Sequence, residues 1–548
     1  MRFSLRSKSA QTTVMASAAA PSPAIGASIE HAERSHSEIM FIMVALMISM
    51  LLAALDQSIV ATALPRIASD LNGLTKLSWV ATAYLITSAI ATPIYGKLGD
   101  LYGRKKVFQI AIVIFLAGSA LCGLAQTMNQ LIFFRALQGI GAGGLMSLVL
   151  AIIGDVISPR QRGRYQGYFG AVFGVSSVAG PVLGGLLANA NHFLGVAGWR
   201  WIFYITLPLG LLALSLVAAR LHLHKPEQKE NHIDYGGAVL LAVSVLSLIL
   251  ITVWAGVDYA WGSWQILSLA VSTVVFGTLF IWREKRSPEP IIPLHLFKND
   301  IFSVSTLLSF VTGVAMFATI LYIPLYQQIV RGDSPTKSGL LMLPMVLGML
   351  TASMGSGRII TKIGRYRIFP IIGTLVLALG LWLFSHLGIT TNYWYVSGWM
   401  VVIGLGLGQL FQVPTLAVQN STERKNMGTA TSTVSFARSI GAALGGAVFG
   451  TILTSRLTHY LVASLPAGTA SDVSSGLNSG TGQLAHLPNV LRQDVLGAYV
   501  HAFHDMFLIS IPVALAAFVI ALFLREAPLR SSTKDMAAGE GFEAAHSA

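Results

Sequence analysis

Charge is scarce in this 548-residue chain: Asp, Glu, Lys and Arg make up 11% of it, against 54% apolar residues. Soluble domains carry about 25% charged residues, so a soluble enzyme or scaffold of this size is excluded. Cysteine is nearly absent; the single Cys122 lies in an apolar stretch and no intramolecular disulfide can form. No Gly-x4-Gly-Lys-Ser/Thr loop occurs, so nothing is arranged to cradle a nucleoside triphosphate. No hydrophilic stretch between apolar segments reaches the size of a catalytic module. Residues 1–38 are Ser/Ala-rich, basic at Arg2, Arg6 and Lys8, and lack a long apolar core, so they are no secretory signal. They read as a disordered tail, with a mild compositional likeness to a transit peptide.

What the chain has instead is apolar runs. A bilayer core needs about 20 mostly apolar residues per helix, and fourteen segments qualify: 40–63, 78–96, 107–125, 131–154, 166–188, 200–219, 235–255, 265–282, 301–327, 338–360, 366–386, 394–418, 428–455 and 500–525. The pattern predicts an all-α polytopic membrane protein. An even number of crossings puts both termini on one side, and basic loops stay cytoplasmic. Of the 36 Lys and Arg residues, 27 fall on the N-terminal side. Arg66, Lys76, Arg200, Arg331, Lys337, Arg456 and Arg492 fall on the other, and Arg135 and Arg438 lie inside segments. Both termini are therefore expected in the cytoplasm, in a cell (inner) membrane. The net charge of +13 follows from this topology. No nucleic-acid partner is expected, because no folded domain would present the charge.

The segments fall into two copies. Gly96-Lys97-Leu98-Gly99-Asp100-Leu101-Tyr102-Gly103-Arg104-Lys105-Lys106 returns in altered form as Gly357 to Arg367, and an offset of 261 pairs Gly96 with Gly357, Gly103 with Gly364, Arg104 with Arg365 and Phe108 with Phe369. Parallel repeats of this kind are a transporter signature. The expected division is a tail at 1–38, a six-helix bundle at 39–220, an inserted helix pair with linkers at 221–299, a second six-helix bundle at 300–527 with an outer loop at 456–499, and a tail at 528–548. Work done by such a chain draws on an ion gradient and needs no bound cofactor.

Ionisable groups inside a membrane cost about 2.5–3.5 kcal/mol each on insertion scales, so Asp56, Arg135 and Arg438 demand reasons. Asp56 and Arg135 lie roughly 12 and 7 Å below the outer ends of their helices at 1.5 Å per residue. They can meet directly or through water. Burial raises a carboxylate's pKa and a guanidinium lowers it, so the pair reads as a proton-coupling or substrate site, with a plain structural ion pair as the alternative. Arg438 has no acidic neighbour in its half; its partner is either a backbone carbonyl or an anionic group of a substrate.

Small residues supply packing signals. Gly170 and Gly174, Gly180 and Gly184, and Gly441 and Gly445 are spaced for close helix contact, and Gly180-Pro181 predicts a kink. His501, His504 and Asp505 have helical metal-ligand spacing but no visible fourth ligand, so no metal is expected. Trp79, Tyr84, Tyr322 and Tyr326 are candidates for substrate contact or for packing.

These residues together resemble the major facilitator superfamily, and within it the 14-helix drug/proton antiporter group. The loop Gly96 to Lys106 looks like the superfamily signature between helices two and three. Leu55-Asp56-Gln57-Ser58-Ile59-Val60 with Ala63-Leu64-Pro65 looks like the group's first-helix motif. Leu131, Arg135, Gln138, Gly139 and Gly141 look like its fourth-helix motif. Gly180-Pro181-Val182-Leu183-Gly184-Gly185 looks like the antiporter motif of helix five, and Trp199 to Tyr204 with Pro208 also fits. The chain departs at Ser176, where the antiporter pattern has glycine, and at Thr361, where the first copy has Asp100. The tenth segment carries no acid between Ser338 and Ile360, which speaks against divalent cations.

The resemblance implies a major facilitator fold of two six-helix bundles plus two inserted helices, fourteen transmembrane helices in all. It implies export of amphipathic, cationic or neutral compounds (multidrug efflux) by alternating access, driven by protons. Asp56 and Arg135 would line the cavity. Gly96, Asp100, Gly103 and Arg104 would form a cytoplasmic gate, and Gly180, Pro181, Gly184 and Gly185 the antiporter kink. Partners would be a small-molecule substrate, protons and the lipid bilayer, with a periplasmic adaptor where the host has two membranes. A dedicated carrier of one amino acid, sugar or siderophore is the main alternative; a non-transporting receptor is remote.

Overall fold

The computed structural model describes residues 36–529, apart from 74–75, 191, 194, 222, 224–232, 257 and 465–487. The expected tails, the linker at 222–232 and the centre of the loop at 456–499 fall largely outside the described residues. Apart from a two-residue hairpin, β1 (His192–Phe193) with β2 (Val196–Ala197), and short turns, the described chain is α-helical. Among the described residues, thirteen helical stretches are long and apolar enough to cross a membrane, and the shorter apolar Ile368–Phe384 makes a fourteenth pass.

The first bundle contains α1 (His36–Asp70), α2 (Leu77–Tyr102), α3 (Arg104–Leu124), α4 (Met128–Val156), α5 (Pro159–Asn189), α6 (Trp201–Tyr204) and α7 (Thr206–Arg220). The inserted pair is α8 (Tyr235–Trp254) and α9 (Trp264–Glu284). The second bundle contains α10 (Asp300–Ile320), α11 (Tyr322–Ile329), α12 (Pro335–Leu341), α13 (Leu343–Ile363), α14 (Ile368–Phe384), α15 (Tyr393–Ser421), α16 (Met427–Ser464) and α17 (Asn489–Leu522). The end of the molecule where α1 begins is called proximal here, and the opposite end distal.

Three expected continuous segments are broken. The sixth pass breaks at Ile205, the ninth at Leu321 and the tenth at Met342. Pro208, Pro324 and Pro344 follow within three residues. A proline ring crowds the preceding turn and removes one donor from the ladder. Pro65 does not stop α1, which runs past the expected boundary at 63 to Asp70 because Ile67 and Ala68 are fully buried in the first bundle. Asp56 therefore sits near the midpoint of the 35-residue helix, deeper than the sequence implied.

The expected outer loop at 456–499 is shorter than predicted. Both flanking helices extend into it, since Leu461, Val495 and Ala498 are buried in the second bundle's core. Tyr460 Oη donates to Asp505 Oδ2 at 2.9 Å, and Arg456 pairs with the same carboxylate at 3.4 Å. His504 Nδ1 bonds Ser385 O, so two of the three residues with metal-ligand spacing, His504 and Asp505, bond protein groups.

The inserted pair leans on both bundles. Leu241, Val245 and Ile249 of α8 share a core with Ile86 of α2 and Ile440 of α16, and Trp79 meets Trp254 edge-on at 5.8 Å. At its proximal end Asp234 caps α8 through Gly237 N at 2.8 Å and pairs with Arg283 of α9 at 3.1 Å. Burial pushes the Asp234 carboxyl up, but the donors of Gly237, Ser287 and Arg283 outweigh it and hold the carboxyl below its usual range.

Candidate functional site: a buried ion pair and a proximal latch

Asp56 of α1 is fully buried and both its oxygens are engaged. Arg135 Nη1 donates to Oδ2 at 2.6 Å, and Gln138 Nε2 donates to Oδ1 at 2.9 Å. Arg135 also donates to Gln138 Oε1 at 2.7 Å and lies 4.3 Å from the centre of the Tyr84 ring. Helix spacing explains the convergence: Arg135 and Gln138 are three residues apart on α4 and share a face. The glycines bring the backbones close. A Cβ on Gly139 would fall 2.5 Å from Tyr84 O, so α4 lies directly on α2. The sole cysteine joins the cluster, with Cys122 Sγ 3.7 Å from Gln138 Oε1.

The direct contact between Asp56 and Arg135 selects one of the two geometries left open by the sequence. Gln138, noted there only for its place in a motif, is a full member of the site. Its signal was the i+3 spacing from a buried arginine. Of the other aromatics named from the sequence, Tyr322 donates to Gly446 O at 2.8 Å and Tyr326 to Gly388 O at 2.7 Å, while Trp79 packs on the inserted pair.

The second assembly links the two bundles at the proximal end. Gly103, with φ of 91°, ends α2 and starts α3. Asp100 and Arg104 meet across this turn at 2.6 Å. Asp100 then reaches the other bundle, accepting from Gly428 N at 2.9 Å, Thr429 N at 2.7 Å and Thr429 Oγ1 at 2.9 Å. It thereby satisfies free donors in the first turn of α16, where the helix dipole also favours an anion. Gly96 makes this approach feasible, because its Cβ would fall 2.8 Å from Gly428 O.

Three further residues of this assembly were not singled out in the sequence. Asp155 pairs with Arg104 and, at 3.8 Å, with Arg424. Fully buried Arg162 donates to Ile157 O at 2.8 Å, Gln419 O at 3.3 Å and Gly154 O. Gln419 returns a bond to Leu150 O at 2.9 Å. Arg162 looked like one of many loop cations; only the docking of α15 beside α5 shows that it is buried.

Gly180 to Gly185 sit between two helices. A Cβ on Gly180 would fall 2.0 Å from Ser58 Oγ, and one on Gly184 2.1 Å from Thr62 Oγ1, both on α1. A Cβ on Gly185 would lie 3.0 Å from Thr336 Oγ1, while Pro181 touches Gly339 of α12. At Ser176, where the motif departs from pattern, the carbonyl accepts from Ser58 Oγ at 2.8 Å. Arg438 is bound to a carbonyl: Nη1 donates to Phe411 O at 2.9 Å, three residues before Pro414.

Two repeated six-helix units packed side by side are an architecture that secondary transporters use. The profile of the Major Facilitator Superfamily matches residues 46–446, and the chain belongs to that family. It is 39% identical over 503 residues to an uncharacterised MFS-type transporter of Mycobacterium tuberculosis, covering 91% of this chain and 72% of that one. It is 40% identical over 411 residues to the multidrug transporter protein MdtP of Bacillus subtilis, covering 75% and 74%. It is 39% identical over 401 residues to multidrug resistance protein 3 of the same organism, covering 73% and 77%. Among solved structures, the proton:xylose symporter XylE shares the fold with a TM-score of 0.58 at 15% identity, covering 92% of this chain and 99% of that one.

Proposed function

We propose that this protein is a proton-coupled exporter of amphipathic organic compounds, working by alternating access of its two bundles around a midplane site. The observation that carries the reading is Asp56, fully buried with both oxygens held by Arg135 and Gln138. A proton on Asp56 cancels its charge and converts one acceptor into a donor. Arg135 then loses its counter-ion, and the oxygen that takes the proton turns a donor toward Arg135 or Gln138, which weakens the tie between α1 and α4. That weakening is a physical route from proton binding to helix movement.

The family gives the transport class, and relatives named as multidrug transporters favour organic efflux. Under the orientation favoured by the basic loops, the proximal end is cytoplasmic, and the contacts of Asp100 with α16 close that side. Release of this latch would open the cavity inward. Both oxygens of Asp56 bond Arg135 and Gln138 in this state, which favours a small proton over a bulky cationic substrate as what it takes up. The expected setting is a cell membrane with both termini inside.

Efflux of a lipophilic cationic dye from proteoliposomes under an imposed pH gradient tests the reading. Gradient-dependent efflux that disappears in Asp56→Asn is expected. Full activity in Asp56→Asn defeats proton coupling through this residue, and no dye movement by the folded natural protein favours a dedicated metabolite carrier.

A further inference from the structure

Arg438 is bonded more sparsely than the buried arginines of the first bundle. It lies in α16 and is 8% exposed. Its one hydrogen bond among the described residues runs to Phe411 O, and no carboxylate among them pairs with it. A guanidinium has five N–H donors, so most of its capacity is unused. Arg135 and Arg104, by contrast, have carboxylate partners, and Arg162 has three carbonyls. A buried charge normally finds a partner.

The two helices that meet at this bond also carry unsatisfied polar groups. Ser435 and Thr431 lie about one and two turns earlier on α16, and Gln412 and Thr415 follow Phe411 on α15. Ser435 Oγ, Thr431 Oγ1, Gln412 Nε2 and Thr415 Oγ1 are all buried without a hydrogen-bond partner among the described residues. The site also faces the other bundle. The guanidinium lies 4.1 Å from the centre of the Phe411 ring, and that ring meets Phe173 of α5 edge-on at 5.4 Å. A cation with spare donors thus sits over the Phe411 ring, which in turn meets Phe173 where the halves pack together.

We infer that Arg438 anchors the carboxylate of an amphipathic organic anion, whose apolar body rests on Phe411 and Phe173. The planar fork of the guanidinium matches a carboxylate through two parallel hydrogen bonds. The unpaired hydroxyls and amide supply further polar groups on the same two helices. The inference deepens the efflux reading by naming a substrate class: the chain accepts organic acids, handled by the second bundle, while the proton is handled by Asp56 in the first.

Two measurements separate this claim from the efflux reading on which its transport arm rests. Binding of fluorescein, a carboxylated dye, to the detergent-purified full chain is read by anisotropy, with ethidium as the cationic control. Arg438→Gln should weaken fluorescein binding about tenfold or more, as loss of a charge-assisted pair does. Arg438→Lys should fall between, and ethidium binding should be the same in all three. In proteoliposomes, Arg438→Gln should lose gradient-driven fluorescein efflux and keep that of ethidium.

Fluorescein binding that is absent in the natural protein, or unchanged in Arg438→Gln, overturns the anion site. So does an equal loss of both dyes in a variant with the natural melting temperature. If Arg438→Gln does not fold, a folded Arg438→Lys that binds fluorescein as the natural protein does overturns it instead. Arg438-dependent binding without movement of either dye upholds the site and defeats the efflux reading. Ethidium efflux without fluorescein binding does the reverse.

Discussion

Gly139 and Gly143 of α4 lie on the backbone of Tyr84 and Ser88, and Gly404 and Gly408 of α15 lie on that of Met345 and Met349. These matched contacts superpose the fourth pass on the twelfth and the second on the tenth. They align Arg135 with Met400, Gln138 with Ile403 and Tyr84 with Met345. Where the first bundle holds a charged cluster, the second holds buried apolar side chains in its main core. The same helix packing is therefore closed once with a salt bridge and once with methionine and isoleucine. Buried ion pairs seldom out-stabilise apolar side chains of similar volume, so the fold itself does not call for Asp56 and Arg135. The comparison points to a functional reason for keeping them.

The proximal turns differ in the same sense. Gly103 and Gly364 both take positive φ, at 91° and 76°. Asp100 of the first turn crosses to α16, whereas Thr361 of the second donates to Gly357 O of its own helix at 2.8 Å. The second turn is steadied within its own bundle, where Glu526 accepts from Tyr366 N at 2.7 Å and Arg367 N at 3.1 Å.

The largest effect belongs to the charged cluster. Asp56→Asn should bring gradient-driven dye efflux to background, while substitutions of Met345 that keep its volume should not. Thermal unfolding sharpens the point. Arg135→Met alone leaves Asp56 buried and unpaired and should cost about 3–5 kcal/mol. The triple change Asp56→Leu, Arg135→Met, Gln138→Ile puts the second bundle's Met and Ile on α4 with an apolar Leu facing them, and should recover most of that stability while remaining inactive. A triple variant as unstable as the single one would show that the cluster is structural.

Packing should be more even between the halves. Gly180→Val meets Ser58 Oγ, and Gly445→Val meets Val314 O, against which a Cβ would fall 2.5 Å away. Each should cost about 1–3 kcal/mol; a large difference in melting temperature would break the equivalence. At the turns, Asp100→Asn should cost about 1.5–3 kcal/mol, because it removes a buried charged acceptor of Arg104, which keeps Asp155, and of the first turn of α16. It should also speed thiol labelling of Ser432→Cys in a Cys122→Ser background, because Ser432 lies under Gly96. Thr361→Ala should leave that labelling rate alone. Smallest is Lys97→Gln, which breaks a partly exposed pair with Glu289 at 2.5 Å and should cost under about 1 kcal/mol.

Much of this was legible in the sequence because a bilayer imposes a simple rule. Every backbone polar group must be satisfied within the membrane, so apolar runs of sufficient length read directly as helices. The repeat was legible through glycines, since the turn at Gly103 and Gly364 requires a conformation that side chains resist. Asp56 and Arg135 stood out because charge inside an apolar run has few explanations. The breaks at Ile205, Leu321 and Met342 were harder to read, because a proline kinks some helices and leaves others continuous according to what packs around it.

By itself the sequence determined the number of passes, the duplication and the rare intramembrane charges, all of which follow from local composition against a uniform solvent. Tertiary structure decided which of those charges are partnered. Arg162 became buried, Gln138 became a ligand of Asp56, Asp100 became a tie between bundles and Arg438 was left, among the described residues, with a single carbonyl. Those outcomes depend on which helix faces which, and residues 257 or 328 positions apart, as in Arg162 with Gln419 and Asp100 with Gly428, meet only when the two halves dock.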